Sequence, residues 1–503
     1  MKLLLLAIAG AAVLLGAGPA PLLAQDAGGG QLTLQQRIDA AAPEDIIVVD
    51  GGVFHEPITI NKAISLIGRN WPVIDGNGQG DVVTMTADDA VISGFVIRNS
   101  SKSISQEPAD IKVRDADRVK IRGNRLEDAH FGIHMTDSTE SVIEKNDIDA
   151  GAHTDIERRG HAIYLWQVTR STLLNNTIRH AGDGIHLEYS DSNTIGGNDV
   201  SNSRYALHFM TAHANRVVKN NFHDNLTGAV LMFSRDLIIK DNELSNNRRG
   251  ATGAGMLIKD DDNIFVEGNR VLRNKFGATV EGSPQTIGAT AIFTKNMFAL
   301  NDVGIAVMSN APITFVENAL VDNIVQVKAM GGELATRALS EHASGVPATG
   351  GDAGTPAALP KGALWVSRVR GNYWSDYRGY DANGDGVGDQ PYRPRPPFAG
   401  RLGHDDTLRL FQFTPAQQAI DAATDMFPIY RYNAVMEDQG PLMSPPEGLT
   451  LPHGGGVNVR LLVASVALTA LSGAAIVTLS GMRLRGLRRV FAPRGQAPGA
   501  AAA

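Results

Sequence analysis

A repeat of 22 residues is the feature that most constrains how this chain folds. Each repeat contains an Asn, any residue and an aliphatic residue, then a turn, then Gly or Ala before a second aliphatic run. The asparagines are Asn124, Asn146, Asn176, Asn198, Asn220, Asn242, Asn269, Asn296 and Asn318, and their successive gaps are 22, 30, 22, 22, 22, 27, 27 and 22. A short period with occasional insertions is typical of a solenoid, whose repeats stack on one another.

The runs between the asparagines have the period of a β-strand. Leu237–Lys240 is one example of their short alternation of apolar and polar residues. No helical stretch separates these runs, so the strands stack in parallel. The sequence predicts an all-β fold, a right-handed parallel β-helix over 25–328 with rungs of about 22 residues. A short helix at Leu32–Ala41 is expected to cover the first rung, and the stacked Asn amides to hold one corner.

Composition excludes several kinds of site. The 503 residues contain no cysteine, which excludes disulfides, thiolate zinc sites and iron–sulfur clusters and leaves Met and His as the soft metal ligands. With 46 basic and 53 acidic residues the net charge is −7, so no global positive field attracts nucleic acid. The chain also lacks a Gly-x4-Gly-Lys-Ser/Thr loop, so ATP hydrolysis would belong to another subunit.

Both ends of the chain are apolar. Lys2 precedes the apolar run Leu3–Leu15, which predicts a secretory signal over 1–24. Leu461–Met482 carries no charge and is followed by an arginine cluster, which predicts a transmembrane helix and a basic cytoplasmic tail within 457–503. The body is then expected in the periplasm, anchored to the inner membrane at its C-terminus.

Aligning the repeats places several metal-binding residue types on one outer face. Alternation puts Ile133, Ile163, Ile185 and Leu207 inside and the neighbouring columns outside. One outer column contains His134, His186 and His208, and the next contains Trp166, Met210 and Met232. Imidazole and thioether groups bind copper, so this face is a candidate copper surface. A stripe that only covers the sheet, or a patch for a protein partner, is the alternative.

Two insertions enter the turn that leads into this face. The first contains Arg158 and Arg159, and the second contains residues 246–250. Insertions along one edge of a solenoid usually mark its binding face, so Arg158, Arg159 and the nearby Trp166 are candidate partner-binding residues. Solvated loops without a function are the alternative.

A Gly/Ala-rich linker is predicted at 329–367, followed by an irregular block at 368–456. This block contains the front half of a calcium loop. Its oxygen ligands would be Asp381, Asn383, Asp385 and Asp389 at positions 1, 3, 5 and 9, with Gly386 at position 6. Tyr392 replaces the bidentate Glu at position 12, so an unoccupied turn is the competing interpretation.

A family resemblance rests on this same block. The stretch GNYWSDYRGYDANGDGVGDQPY from Gly371, followed by Phe413–Ala416, Met426–Pro428 and Asp438–Pro441, resembles the C-terminal signature of the NosD family. The repeats resemble the β-helix of that family. The resemblance implies a periplasmic binding protein, not an enzyme, that works with an ABC ATPase and permease. With a copper chaperone, it would help to mature the copper centres of nitrous oxide reductase.

Two other functions fit a secreted β-helix. A polysaccharide lyase, hydrolase or epimerase would need paired carboxylates, or a Ca²⁺ ion beside a basic residue, in a groove. Glu188 and Glu281 lie four rungs apart, about 19 Å, which leaves Asp183 with Glu188 as the best pair. A third hypothesis is that the chain is an inert adhesion solenoid. No catalytic residue is assigned.

The predicted topology is testable with a reporter enzyme that is active only in the periplasm. Fused after Arg494, the reporter should be inactive, because the basic flank of the helix stays in the cytoplasm. The same reporter fused before Leu461 is the control and should be active. Activity of the fusion after Arg494 would contradict this topology.

Overall fold

The computed structural model describes residues 32–102, 107–151, 155–250, 253–309, 311, 313–329, 370–394 and 436–451. The predicted signal at 1–24, almost all of the predicted linker at 329–367 and the predicted membrane helix and tail at 457–503 lie outside these residues. Within the part of the chain that is described, no helix is long and apolar enough to cross a membrane.

The chain forms a parallel β-helix in which each rung contributes one strand to each of three sheets. Sheet 1 contains β1 (Ile46–Asp50), β4 (Ser65–Arg69), β7 (Val91–Ser93), β10 (Lys120–Arg122), β13 (Val142–Glu144), β16 (Thr172–Leu174), β19 (Thr194–Gly196), β22 (Arg216–Val218), β25 (Arg235–Lys240), β28 (Asp262–Glu267), β31 (Ala291–Thr294) and β34 (Thr314–Val316). Sheet 2 contains β2 (Val53–Phe54), β5 (Val73–Asp75), β8 (Val96–Arg98), β11 (Arg125–Glu127), β14 (Asp147–Asp149), β17 (Thr177–Arg179), β20 (Asp199–Ser201), β23 (Asn221–His223), β26 (Glu243–Ser245), β29 (Arg270–Leu272), β32 (Met297–Ala299), β35 (Ala319–Val321) and β37 (Tyr373–Trp374).

Sheet 3 carries the outer face on which the histidines were predicted. It contains β3 (Ile58–Ile60), β6 (Val83–Met85), β9 (Ala109–Arg114), β12 (Phe131–Thr136), β15 (Ile163–Trp166), β18 (Asp183–Glu188), β21 (Tyr205–Met210), β24 (Thr227–Met232), β27 (Ala254–Lys259), β30 (Phe276–Glu281), β33 (Val303–Met308) and β36 (Val325–Ala329). The predicted parallel β-helix is therefore confirmed.

The predicted inner column is confirmed residue by residue. Ile133 pairs with Ile163, Ile163 with Ile185, and Ile185 with Leu207, all in parallel register. These side chains have no exposed surface, and they belong to one continuous hydrophobic core. A helix, α1 (Leu34–Ala40), covers the first rung as expected, and it buries Leu34 and Ile38.

The asparagine column forms a hydrogen-bonded ladder at the corner between sheets 1 and 2. The Asn220 side-chain oxygen accepts from both the backbone N–H and the side-chain N–H of Asn198, each at 3.0 Å. The Asn198 amide also donates to the carbonyl oxygen of Leu173 at 2.9 Å. Every polar atom of the buried amide therefore has a partner, which burial demands. A second ladder, which the sequence reasoning missed, joins sheets 2 and 3 through Asn225, Asn247, Asn274, Asn301 and Asn323.

The signature segment ends the solenoid. Asn372 takes the next position in the first ladder, where its side-chain oxygen accepts from the Asn318 side chain at 2.9 Å. The buried Asp438 carboxylate accepts from the Asn372 backbone and from the Trp374 indole, both at 2.8 Å. The Trp374 ring stacks on Tyr392 at 4.4 Å between centroids. This part of the C-terminal block therefore has a structural role, since it closes the last rung.

Asp261 offers a test of this packing. It stands between Ser234 and Ser283 in a buried column at the corner of sheets 3 and 1, and burial raises its pKa to about 8. Because the folded pKa lies above the unfolded value near 3.8, the stabilising contribution of this group is complete below pH 3.8. It is lost as the pH rises to about 8.

We therefore expect Asp261→Ser, which continues the serine column, to gain stability over the parent protein as the pH rises from 5 to 8. The free energy of unfolding from urea titrations at pH 5, 7 and 9 measures this gain. Glu140→Gln removes a carboxylate that is 53% exposed and pairs only with Arg170 across the surface, and its effect should not change over this range. Parallel pH profiles for parent and Asp261→Ser would contradict the assignment.

Candidate metal centre

Aromatic side chains form a continuous stack on the outer face of sheet 3. The strand register aligns His134, Tyr164, His186 and His208 in one column, as the repeat predicted. The ring centroids of His134 and Tyr164 lie 4.7 Å apart, those of Tyr164 and His186 5.0 Å, and those of His186 and His208 4.4 Å. The predicted neighbours are therefore in contact.

These imidazoles lie on the predicted outer face of the sheet, but they are buried. His134 is 3% exposed, His186 7% and His208 8%. A second column of side chains covers them: the ring of Phe131 lies 5.5 Å from that of His134, and the ring of Tyr205 lies 5.3 Å from that of His208. Neighbouring large side chains on a flat sheet face thus exclude water from one another, although the face is on the outside of the solenoid.

The covering column contains residues that strand alternation missed. These residues stand three positions before the histidine column in each repeat, an odd spacing that does not fit the strand period of two. They are Phe131, His161, Asp183 and Tyr205. His161, Asp183 and Tyr205 are separated by 22 residues each, and this spacing was the available signal. His161 ends the first insertion, where Gly160 lets the chain approach the sheet, because a Cβ there would overlap the carbonyl of His130.

Asp183 is the centre of the cluster and has no exposed surface. Its Oδ2 accepts from Nδ1 of His208 at 2.8 Å and from the Arg204 guanidinium at 3.0 Å, while its Oδ1 accepts from Nε of Arg204 at 3.0 Å. Nδ1 of His161 lies 3.5 Å from Oδ2, and Nδ1 of His186 lies 3.8 Å from it. The carboxylate is thus held by two donors and faced by two further imidazoles.

Three of these residues can hold a metal ion. His161, Asp183 and His186 each offer one ligand atom within 4.8 Å of the others. Nε2 of His161 lies 3.4 Å from Nδ1 of His186. Two buried nitrogens, Nδ1 of His161 and Nε2 of His186, have no hydrogen-bond partner. Unpartnered buried nitrogens are uncommon because losing hydration without a replacement is costly, so both atoms are free to accept a further partner.

Electrostatics keeps these imidazoles in the form that binds metals. Burial, with the charge of neighbouring histidines, lowers the pKa of His186 to about 2. Burial lowers the pKa of His161 to about 4 although the Asp183 charge opposes it. Burial tends to raise the pKa of Asp183, but the His208 hydrogen bond and the charges of His161, His208 and Arg204 hold it well below its usual range. At neutral pH His161 and His186 are therefore neutral, and the Asp183 carboxylate is ionised.

The other end of the stack is a polar chain, and the described residues contain no group of three potential metal ligands there. Nζ of the buried Lys112 lies 2.6 Å from Nδ1 of His134 and donates to the carbonyl of Glu107 at 3.0 Å. Burial, and then the charge of Lys112, lower the pKa of His134 to about 3. The Tyr164 hydroxyl donates to Oε2 of Glu188 at 2.8 Å. His134 is therefore separated from the Asp183 cluster by Tyr164.

The predicted methionines and Trp166 form a more exposed column beside the cluster. Trp166 pairs with Glu188, Glu188 with Met210, and Met210 with Met232. The side chains of Trp166, Met210 and Met232 are partly exposed. The thioethers thus lie at the accessible edge of the face on which the imidazoles are buried.

The two arginine-bearing insertions meet at one residue. A guanidinium nitrogen of Arg159 donates to the carbonyl of Asn202 at 3.3 Å, and one of Arg249 donates to the Asn202 side chain at 3.1 Å. Arg158 is exposed at the end of a short 3-10 helix, Ile156–Arg158. The insertions therefore form a single basic edge beside His161.

The predicted calcium loop is closed by its own hydrogen bonds. Asp381 accepts from the backbone of Gly384 and Gly386 at 2.7 and 2.8 Å. Asp385 accepts from Val387 at 2.8 Å, and Asp389 from Ala382 at 2.7 Å. In the described residues, the only group of three or more potential ligands within 4.8 Å is the one at Asp183. Calcium binding by Asp381, Asn383, Asp385 and Asp389 stays a prediction.

Residues 149–351 match the family model described as the periplasmic copper-binding protein NosD. The chain is also 26% identical over 396 residues to the probable ABC transporter binding protein NosD of Stutzerimonas stutzeri, which covers 78% of this chain and 86% of that protein. The protein of the same name from Pseudomonas aeruginosa is 27% identical over 388 residues, 77% of this chain and 85% of its own length. The resemblance to NosD is confirmed. The matched segment contains the whole His161–Asp183–His186 group.

Several solved β-helices share a more distant similarity. The A-module of the mannuronan C-5 epimerase AlgE6 from Azotobacter vinelandii aligns with a TM-score of 0.46 at 14% identity, over 59% of this chain and 91% of that one. The catalytic domain of a GH87 α-1,3-glucanase aligns with a TM-score of 0.49 at 12% identity, over 63% and 67%. Similarities this weak carry no information about the activity of the NosD-like chain.

The Asp183 cluster should contribute strongly to stability. Asp183→Asn removes the charge that compensates Arg204, and we expect the free energy of unfolding to fall by about 3 kcal/mol. This value is at the lower end of the range for a buried ion pair, because Arg204 keeps some access to solvent. Asp149→Asn, which breaks the partly exposed pair with Arg179, is the matched control and should cost less than about 1 kcal/mol. Urea titrations measure both values. Equal losses would show that Asp183 is not the centre of the cluster.

Proposed function

We propose that this chain is a periplasmic component of an ABC-transporter-linked system that assembles the copper centres of nitrous oxide reductase. The family description names a periplasmic copper-binding protein, and the relatives are named ABC transporter binding proteins. The observation that carries the proposal is the grouping of imidazole and thioether side chains on one face inside the matched segment. The ATPase and permease subunits and the inner membrane are the expected partners.

Copper would meet the protein at the accessible edge of this face. Met210 and Met232 come from adjacent rungs and are partly exposed. The buried His208 lies on the same strand as Met210, and the buried His186 lies on the preceding strand of the sheet. Thioethers are soft ligands that suit Cu(I), and a chain without cysteine has no softer ones. An exposed pair of thioethers binds weakly enough to accept copper from a chaperone and to release it to the client enzyme.

The basic edge would position the protein that brings or receives copper. Arg158 and Arg159 lie on the first insertion, which leads directly into His161, and Trp166 follows on the same rung. Arginine and tryptophan are common anchors of protein interfaces. The copper chaperone and nitrous oxide reductase are the proposed occupants of this edge.

A polysaccharide-active enzyme is less well supported. Its acid and base must touch the substrate, but the side chain of Asp183 is fully buried and already bound to Arg204 and His208. Glu188, the other member of the best carboxylate pair, accepts the Tyr164 hydroxyl. The described outer face therefore does not present the two available carboxylates that glycosidic chemistry needs.

Copper loading of nitrous oxide reductase in cells that produce variants of this chain tests the proposal. Met210→Leu combined with Met232→Leu keeps the side-chain volume and removes both thioethers, so we expect a large loss of reductase copper. Met308→Leu is the matched control, because Met308 occupies the same column and is 41% exposed, and loading should be unchanged.

A second variant separates metal binding from partner binding. Charge reversal at Arg158 and Arg159 should abolish chaperone binding in a pull-down while leaving Cu(I) binding by the isolated protein intact. Full copper loading in both the methionine and the arginine variants would contradict the proposed function.

A further inference from the structure

We infer that His161, Asp183 and His186 form a separate site for a divalent first-row transition ion, of which Zn²⁺ is the simplest member. The site stands independently of the proposed function, because it uses a different donor set from the thioethers of Met210 and Met232 and does not require copper delivery.

The donor set selects the class of ion. Two imidazole nitrogens and one carboxylate oxygen are borderline-to-hard ligands, which suit Zn²⁺ and other divalent first-row ions, whereas Cu(I) prefers thioether and thiolate. The same two-His, one-carboxylate composition holds zinc in sites that keep a fourth position for water. The face therefore contains two donor sets with opposite preferences, one buried and one accessible.

The distances are close to those a bound ion requires. Three ligands at about 2.1 Å from one tetrahedral ion lie about 3.4 Å from one another. Nε2 of His161 and Nδ1 of His186 are 3.4 Å apart, and Oδ2 of Asp183 lies 3.8 Å from that same His186 atom. Nδ1 of His161 lies 3.5 Å from Oδ2 of Asp183. Rotation of the His161 ring, without backbone movement, would bring one of its nitrogens close to both Nδ1 of His186 and Oδ2 of Asp183.

The surroundings of the triad fit a metal site as well. His208 and Arg204 donate to the Asp183 carboxylate and fix its orientation, as outer partners of metal ligands do. The side chain of His161 is 20% exposed, whereas those of Asp183 and His186 are 0% and 9% exposed. An ion would therefore enter on the His161 side. Nδ1 of His161 has no hydrogen-bond partner and lies 3.5 Å from Oδ2 of Asp183, so coordination through this atom would satisfy it.

Titration of the full chain, stripped with a chelator, with Zn²⁺ and with Co²⁺ tests the inference. We expect one equivalent of each ion to bind, with visible d–d bands for Co²⁺ and a rise in the melting temperature. Loss of an outer partner of a metal ligand typically weakens metal binding about 10- to 100-fold. His161→Gln and His186→Gln should each weaken Zn²⁺ and Co²⁺ binding by more than this, because each variant removes a ligand. Melting of the two variants without metal shows whether they fold like the parent.

Two controls make the outcome specific. His180→Gln removes an imidazole that pairs with Asp149 outside this cluster, and it should bind Zn²⁺ like the parent protein. The Met210→Leu and Met232→Leu double variant should also keep Zn²⁺ and Co²⁺ binding. If the parent protein binds less than one equivalent, or if folded His161→Gln and His186→Gln variants bind as tightly as the parent, the site does not exist. Failure of the copper proposal appears separately, as full reductase loading in both the methionine and the arginine variants.

Discussion

The stacking of one rung on the next determines every other feature of this molecule. Parallel backbone hydrogen bonds join the strands, and the Asn ladders add buried amide contacts at two corners, each amide oxygen accepting from two N–H groups of the preceding rung. A shift of one residue in the strand register would bury the outward-facing side chains and leave the Asn amides without hydrogen-bond partners. The repeat register is therefore strongly enforced.

This register concentrates side chains of one type into columns. Positions that recur every 22 residues lie directly above one another, with about 4.8 Å between rungs. His186 and His208 stack for this reason, and Asp183 lies beneath Tyr205 for the same reason. Insertions do not disturb the columns, because the chain re-enters the sheet at the position it left. The 30-residue spacing between Asn146 and Asn176 thus leaves the ladder intact.

Two chemically different environments arise on one face of the sheet. Large side chains in adjacent columns cover Asp183 and the imidazoles, and the buried charge is compensated by Arg204 and by hydrogen bonds. The column nearer the end of the strands contains Met210 and Met232, and it stays partly exposed. The nitrogen and oxygen donors are thus buried, while the softer sulfur donors are accessible to solvent. The two kinds of metal ligand therefore differ both in chemical softness and in burial.

The sequence by itself determined the solenoid, the inner and outer columns and the neighbours of each histidine, because a 22-residue period and strand alternation fix which residues share a face. Only the tertiary structure decided which of those residues form a site. Alternation missed His161 and Asp183 because they stand three residues before the histidine column, out of phase with the period of two. Burial of an outer face depends on side chains from several rungs and an insertion packing together, and no local pattern of the sequence encodes that.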